Sequence, residues 1–296
     1  MIPDFEIHKN TLLRYRGHER KVIIPEGIEF IAANAFNCCQ TVTEVILPET
    51  LVSIGDSAFG GCTYLKSIVI PENTNALGTG IFTLCEHLES MIIPEGVTAI
   101  KAHAFDGCKR LKSVQLPSTL ESIGISAFHW CESLESIVIP DQVTEYGDKM
   151  FNSCIKLKKL KYRGIIVNPN KYQYIDLSPL LTMIHDRDFS INMPYHSKID
   201  VIFKIFFADP DEKQAIDFIK KNFQNIFQTL IYVNDLDLIR EILDHTEFMT
   251  AETIDEMIRL AIDKRKLEIQ VMLTDYKNTH IGYQSTSDII QQKFAL

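Results

Sequence analysis

The sequence predicts an α+β chain in which a solenoid with a parallel sheet on one face is followed by an all-α domain. Three observations carry this. Pro25, Pro48, Pro71, Pro94, Pro117 and Pro140 stand 23 residues apart, as do Phe36, Phe59, Phe82, Phe105, Phe128 and Phe151, and again Cys39, Cys62, Cys85, Cys108, Cys131 and Cys154. So short a unit cannot enclose a core alone, and its apolar positions must be buried by the same positions of neighbouring copies. Before each proline, apolar residues alternate as Val22/Ile24, Val45/Leu47, Ile68/Ile70, Met91/Ile93, Val114/Leu116 and Ile137/Ile139, the period of a strand with one buried face. Beyond about residue 170 the pattern ends and helical spacing replaces it.

Residues 1–21 predict an N-terminal hairpin cap, with Phe5, Ile7, Leu12, Leu13 and Tyr15 around Arg16-Gly17-His18, because an open solenoid end needs covering. Residues 22–163 hold six to seven repeats. In each, the strand stops at its proline, which has no N–H to give to a ladder, and Leu160/Tyr162 supply a seventh rung without one. Two further inward ladders run through Val42, Leu65, Leu88, Leu111, Leu134 and Leu157 and through Ile31, Ile54, Leu77, Ile100, Ile123 and Tyr146. The third copy departs most, with Thr74 at an apolar position and Leu84 where Gly61 and Gly107 stand in other copies.

Residues 164–177, with the Asn168-Pro169-Asn170 turn signal, read as a linker, 178–277 as the helical domain and 278–296 as a tail with a short helix after Ser287. Ser178-Pro179 and Asp209-Pro210 predict helix starts, and Ser197 with Asp200 predicts a capping box. Apolar residues recur at helical spacing over 212–221, 223–233, 235–244, 251–263 and 266–276, and Leu236-Asp237-Leu238 aligns with Leu267-Glu268-Ile269 at a step of 31.

The repeat resembles the BspA-like leucine-rich repeats, A-F-x-x-C-x-x-L-x-x-I-x-I-P followed by a short turn, over roughly residues 12 to 163. The resemblance implies a leucine-rich-repeat solenoid and a role in protein recognition or surface adhesion. The step of 31 resembles the second helix of ankyrin repeats, which implies an ankyrin-like helical-repeat domain. The Thr-Pro-Leu-His opening and the inter-helix glycines are absent, so a generic helical bundle stands as the alternative.

The 296 residues are 46% hydrophobic and 23% charged, the composition of an ordered chain. A net charge of -9 argues against nucleic acid as a partner, since phosphate binding needs a basic surface. No basic segment followed by an apolar run opens the chain, which predicts a cytoplasmic protein; the cell surface is the alternative if an export signal has been removed, and the chain is expected to be a monomer. The most apolar stretch, Val201 to Ala208, contains Lys204 and falls far short of the ~20 residues of a membrane span.

The cysteines stand one coil apart rather than in the close pairs of zinc sites, and stacked positions hold their Cβ atoms too far apart for good disulfides. They predict buried, reduced, space-filling thiols, with Cys38 as the reactive one. No metal, cofactor or catalytic residue is predicted. Gly78-Thr79-Gly80 lacks the context of a phosphate loop, and His185 with Asp186 and Asp188 falls at a helix end, where such residues cap or stay solvated.

Outward positions also stack. Glu26, Glu49, Glu72, Glu95 and Asp141, with Ser118 the neutral member, form an acidic ridge whose like charges repel by about 0.8 kcal/mol per adjacent pair even in water. Lys156, Lys158, Lys159, Lys161 and Arg163 make the last coil basic, while the chain after residue 163 has 14 Lys+Arg against 20 Asp+Glu; Lys159, Lys161 and Arg163 are therefore expected to dock the helical domain. Ile23, Ile46, Val69, Ile92 and Val138, interrupted by Gln115, form an outward apolar stripe, and Trp130 beside His129 stands where other copies have glycine. A protein or peptide partner is expected at Ile46, Val69, Ile92, Gln115 and Val138, with Trp130 as a second point. The functional reading is a non-catalytic protein-protein recognition module or scaffold. A divergent enzyme with a site in the helical half and a surface adhesin are the alternatives.

Overall fold

The structure is a computed structural model that describes residues 4–172, 176–245 and 249–281. Two compact units divide the chain, Met1–Asn192 and Met193–Leu296.

The first unit opens with β1 (Phe5–His8) and β2 (Thr11–Tyr15), an antiparallel hairpin. A ladder of strands before the prolines follows in three segments. Parallel pairing joins β3 (Lys21–Ile23), β5 (Glu44–Ile46) and β7 (Ser67–Val69), then β9 (Ser90–Ile92) and β11 (Ser113–Gln115), then β13 (Ser136–Ile139) and β15 (Lys159–Tyr162). Every pairing is between residues 23 apart, such as Ile23↔Ile46↔Val69, so the sequence repeat is the sheet register. β16 (Ile165–Val167) turns back antiparallel on β15 and closes this edge.

A second parallel ladder runs along the chain, where the sequence predicts a sheet on one face alone. It is built in two segments from two-residue strands, β4 (Phe30–Ile31), β6 (Ser53–Ile54) and β8 (Ala76–Leu77), then β10 (Ala99–Ile100), β12 (Ser122–Ile123) and β14 (Glu145–Tyr146). The hairpin heads this ladder, since β2 pairs parallel with β4.

Between the ladders lies an aromatic column. Phe36, Phe59, Phe82, Phe105, Phe128 and Phe151 stack at centroid distances between 5.0 and 5.6 Å. Tyr15 of the hairpin extends the column, 5.0 Å from Phe36. The cysteines do more than fill space: Cys62, Cys85, Cys108, Cys131 and Cys154 each donate Sγ–H to the backbone oxygen of the phenylalanine 26 residues earlier, at 3.1 to 3.3 Å. Thr74, apparently misplaced in an apolar column, is fully buried and donates Oγ1–H to Leu51 O at 3.0 Å. The solenoid ends on Tyr162, fully buried, whose hydroxyl lies 2.6 Å from Val143 O and 2.5 Å from the Tyr146 hydroxyl.

The helix α1 (Ser178–Asp186) belongs to the first unit, although the sequence groups it with the helices that follow. Its Ser178 hydroxyl bonds Gly147 O at 2.9 Å, and its His185 ring meets Tyr146 edge-on. Ser178 is thus the first helical residue rather than a cap, and Leu177 precedes it.

The second unit consists of α2 (Tyr195–Ala208), α3 (Lys213–Val233), α4 (Leu236–Asp244), α5 (Ala251–Asp263) and α6 (Leu267–Tyr276), followed by a π-helical turn at Lys277–Ile281. α3 packs on α2, α4 and α5, and α6 packs on α4 and α5. The residues 31 apart, Leu236 and Leu267, open α4 and α6. The expected helix starts are displaced. Pro194 stands directly before α2, so Ser197 and Asp200 lie inside the helix, buried, instead of boxing its start. Asp209 ends α2, and Glu212 caps α3 by accepting from Ala215 N. The expected short helix after Ser287 lies outside the described residues.

Candidate functional site

Each strand of the first ladder buries its central residue and turns its first and third outward. The third residues build one exposed column, Ile23, Ile46, Val69, Ile92, Gln115, Val138 and Lys161, held by the registers Ile23↔Ile46↔Val69, Ile92↔Gln115 and Val138↔Lys161. The apolar members are between 40% (Ile46) and 80% (Val69) exposed, unusual for aliphatic side chains in line. The first residues build a parallel column, Lys21, Glu44, Ser67, Ser90, Ser113, Ser136 and Lys159. Its centre is therefore uncharged and hydroxyl-bearing. Lys21 and Glu44 satisfy each other at 2.9 Å.

The residues preceding these form a feature the sequence reading missed, a column of alternating sign: Lys66, Glu89, Lys112, Glu135 and Lys158. Lys112 bonds Glu89 at 3.0 Å, and three residues earlier in the same coils Lys109 bonds Glu86 at 2.8 Å. The signal was available, since charges 23 residues apart are neighbours in any such solenoid. The acidic ridge is likewise relieved: Glu95 accepts from the amide and hydroxyl of Ser118, which hold its carboxyl below the usual range, and Asp141 accepts from Arg163 N.

Of the expected docking residues, Arg163 is engaged within the first unit, through Asp141 O, Asp141 Oδ1 and the Tyr162 hydroxyl. Lys156, Lys158, Lys159 and Lys161 are exposed, and among the described residues none of them makes an ion pair.

Trp130 belongs to a corner where every copy adopts a left-handed backbone: Cys38, Gly61, Leu84, Gly107, Trp130 and Ser153 have φ between 56° and 76°. Glycine is the residue that such a φ favours. Large side chains alternate with glycine here because each leans over the next coil: a Cβ on Gly107 would lie 2.8 Å from Leu84 Cδ2, and one on Gly61 would lie 2.9 Å from Cys38 Sγ. Leu84, the apparent anomaly of the third copy, is thereby explained. Trp130 is 47% exposed and packs beside His129, and Asp106 accepts from or pairs with both His129 and His103 at 3.0 Å.

Gly78 lies so close to Gly55 that a Cβ would be 2.3 Å from its carbonyl carbon. Asp188 accepts from Ser190 N and Oγ in a turn, and His185 Nδ1 lies 3.6 Å from Asp186. Among the described residues no group of three or more metal-ligating side chains converges. In the second unit, a shallow depression of about 460 Å³ is lined by Tyr195, Asn222, Asn225, Gln228, Thr229 and Tyr232, on α2 and one face of α3.

Six copies of the family described as BspA type leucine rich repeat region match residues 15–118 and 81–191, more than half of the chain. The chain belongs to that family. Similar solved structures include a leucine rich cell surface protein from Faecalibacterium prausnitzii, 25% identical with a TM-score of 0.43 over 55% of each chain. A leucine-rich repeat protein from Bacteroides ovatus is 29% identical with a TM-score of 0.49, covering 54% of this chain and 44% of its own. The leucine rich repeat protein of T. pallidum is 29% identical with a TM-score of 0.35, covering 51% of this chain and 62% of its own. The chain thus spans about half the length of these structures. No curated protein matches it. Among the described residues no helix of this BspA-type protein is long and apolar enough to cross a membrane.

Proposed function

We propose that this BspA-type chain is a non-catalytic recognition module that binds a protein or peptide partner on the outward columns of the first ladder. The observation that carries this reading is the exposed line Ile23, Ile46, Val69 and Ile92, resumed at Val138 beyond Gln115. Exposed apolar area in a contiguous line mark interaction surfaces, and leucine-rich repeats are a family of protein-interaction and adhesion modules. Val69→Asp with Ile92→Asp is expected to abolish partner capture while moving the thermal transition by no more than a surface substitution does, within about 0.5 kcal/mol each. Capture that survives both changes removes this face from consideration.

Trp130 is the second contact point of the proposal. Its φ of 56° is one that costs a side-chain-bearing residue about 1 kcal/mol or more, so stability alone does not favour an aromatic there. Trp130→Gly is expected to leave the melting temperature equal or higher and to weaken capture. A lower melting temperature with unchanged capture would make Trp130 a packing residue.

The second unit reads as an ankyrin-like stack: the pairs α3/α4 and α5/α6 pack first helix on first helix and second on second. The depression on α2 and α3 is its own candidate surface. The exposed thiol of Cys38 suits a reducing compartment, which favours the cytoplasmic reading over the surface one.

A further inference from the structure

The recognition face is asymmetric along its length, and the asymmetry specifies what fits it. At its first coils the charged outward groups, Lys21 and Glu44, neutralise each other. Through the middle, the outward groups of both columns carry no charge: Val69, Ile92, Gln115 and Val138 in one, Ser67, Ser90, Ser113 and Ser136 in the other. At the last coil of the parallel ladder both columns carry lysine, Lys159 paired in register with Ser136 and Lys161 with Val138, and beyond Lys161 the antiparallel β16 adds the exposed Ile166. Lys156 and Lys158 stand immediately before them, and among the described residues none of the four makes an ion pair. A protein with an overall charge of -9 thus concentrates unpaired positive charge at one end of its apolar line.

The spacing of the line selects a secondary structure for the partner. Side chains in one column repeat at the inter-strand distance of about 4.8 Å, so Val69 to Lys161 spans four rungs, about 19 Å. A chain laid across the strands must offer apolar groups at nearly that step. An extended strand offers one every second residue, about 6.7 Å, and is out of register after two rungs. A helix offers one per 5.4 Å turn and drifts by only about 2.4 Å over four, within the reach of side-chain rotamers.

We infer that this face binds an amphipathic helix of a partner protein, its apolar stripe on Val69, Ile92 and Val138 and an acidic end over Lys159 and Lys161. The inference rests on the recognition reading above and adds the partner's conformation, charge and polarity. The Gln115 amide meets a polar residue near the middle of the helix. The lysines recognise carboxylates, an attraction that salt screens.

A displayed library of randomised 18-residue peptides, selected on the full chain, tests this directly. Enrichment of amphipathic sequences with Asp or Glu at one end is expected. A selected peptide should lose at least tenfold in affinity for Lys159→Glu/Lys161→Glu and bind more weakly as salt rises, and Val69→Asp/Ile92→Asp should abolish binding. Circular dichroism of both variants confirms that the fold is kept. If peptides are enriched without acidic bias and bind the lysine variant normally, the inference fails and the recognition face stands. If they bind the Val69/Ile92 variant normally, the face itself is wrong. Enrichment of extended, non-helical sequences, or no enrichment together with Val69-dependent self-association of the chain, also overturns the helix and assigns the face to a strand or to a second copy.

Discussion

Replacement of Phe105 by alanine is expected to destabilise the first unit by about 3–5 kcal/mol, the range for a fully buried aromatic whose cavity cannot collapse. Phe105 is completely buried, with Phe82 at 5.6 Å on one side and Phe128 at 5.2 Å, nearly parallel, on the other. Collapse is opposed on both sides, because the neighbouring coils are held at sheet spacing by the pairings β10–β12 on one side and β9–β11 on the other and cannot close the gap without breaking register. A solenoid is coupled through nearest-neighbour interfaces, so the variant should also lose cooperativity and unfold with a shallower denaturant dependence. Chemical denaturation followed by circular dichroism reads both quantities. A loss below about 1 kcal/mol with an unchanged slope would mean that the stack contributes little and that the ladders alone hold the coils.

What the sequence made legible is what repeats at a single residue. One proline, one phenylalanine or one cysteine every 23 residues is visible because a solenoid superposes equivalent positions, and the outward stripe follows from its place between inward Val22 and Ile24 and their equivalents. The second ladder was hidden, because two-residue strands such as Phe30–Ile31 are too short to show alternation. Helix starts were misplaced for a related reason. Serine or aspartate beside proline signals a boundary, but at Asp209-Pro210 the aspartate closes the preceding helix and Glu212 caps the next, and only packing decides between the two. The alternation of Cys38, Leu84 and Trp130 with Gly61 and Gly107 was present in the sequence, yet its meaning depends on each side chain reaching over the next coil, a three-dimensional fact. The lysines of the last coil were legible as a charge cluster; their continuity with the apolar column became visible with the register Val138↔Lys161.

The thiols separate into two classes, and the separation should be large in both reactivity and pH dependence. Cys38 is exposed and Cys39 partly so, whereas Cys62, Cys85, Cys108, Cys131 and Cys154 are buried. Burial pushes the Cys62 thiol up to about 12 and raises those of Cys85, Cys108 and Cys131 as well. The thiolate is the reacting species. At pH 8 a thiol of pKa about 12 is ionised in only about one molecule in 10⁴, and that molecule is still enclosed. Native titration with a thiol reagent should therefore modify Cys38 quickly, Cys39 slowly and the other five only on unfolding. The same displacement makes stability fall at high pH. An unfolded cysteine loses its proton near pH 8.5, while the folded ladder keeps it, so above that pH the unfolded chain binds fewer protons than the folded one. Stability is then lost as pH rises, at up to about 1.4 kcal/mol per pH unit for each of these four buried thiols, until the folded values are reached. Below pH 8 these groups contribute no pH dependence. Denaturation midpoints measured from pH 7 to 11 should be flat and then drop, with Cys62→Ala shallower in the drop by the share of one thiol. Rapid native modification of nearly all seven thiols, or a midpoint unchanged to pH 11, would show that the sulfur ladder is open to solvent and that its bonds to the phenylalanine carbonyls do not persist.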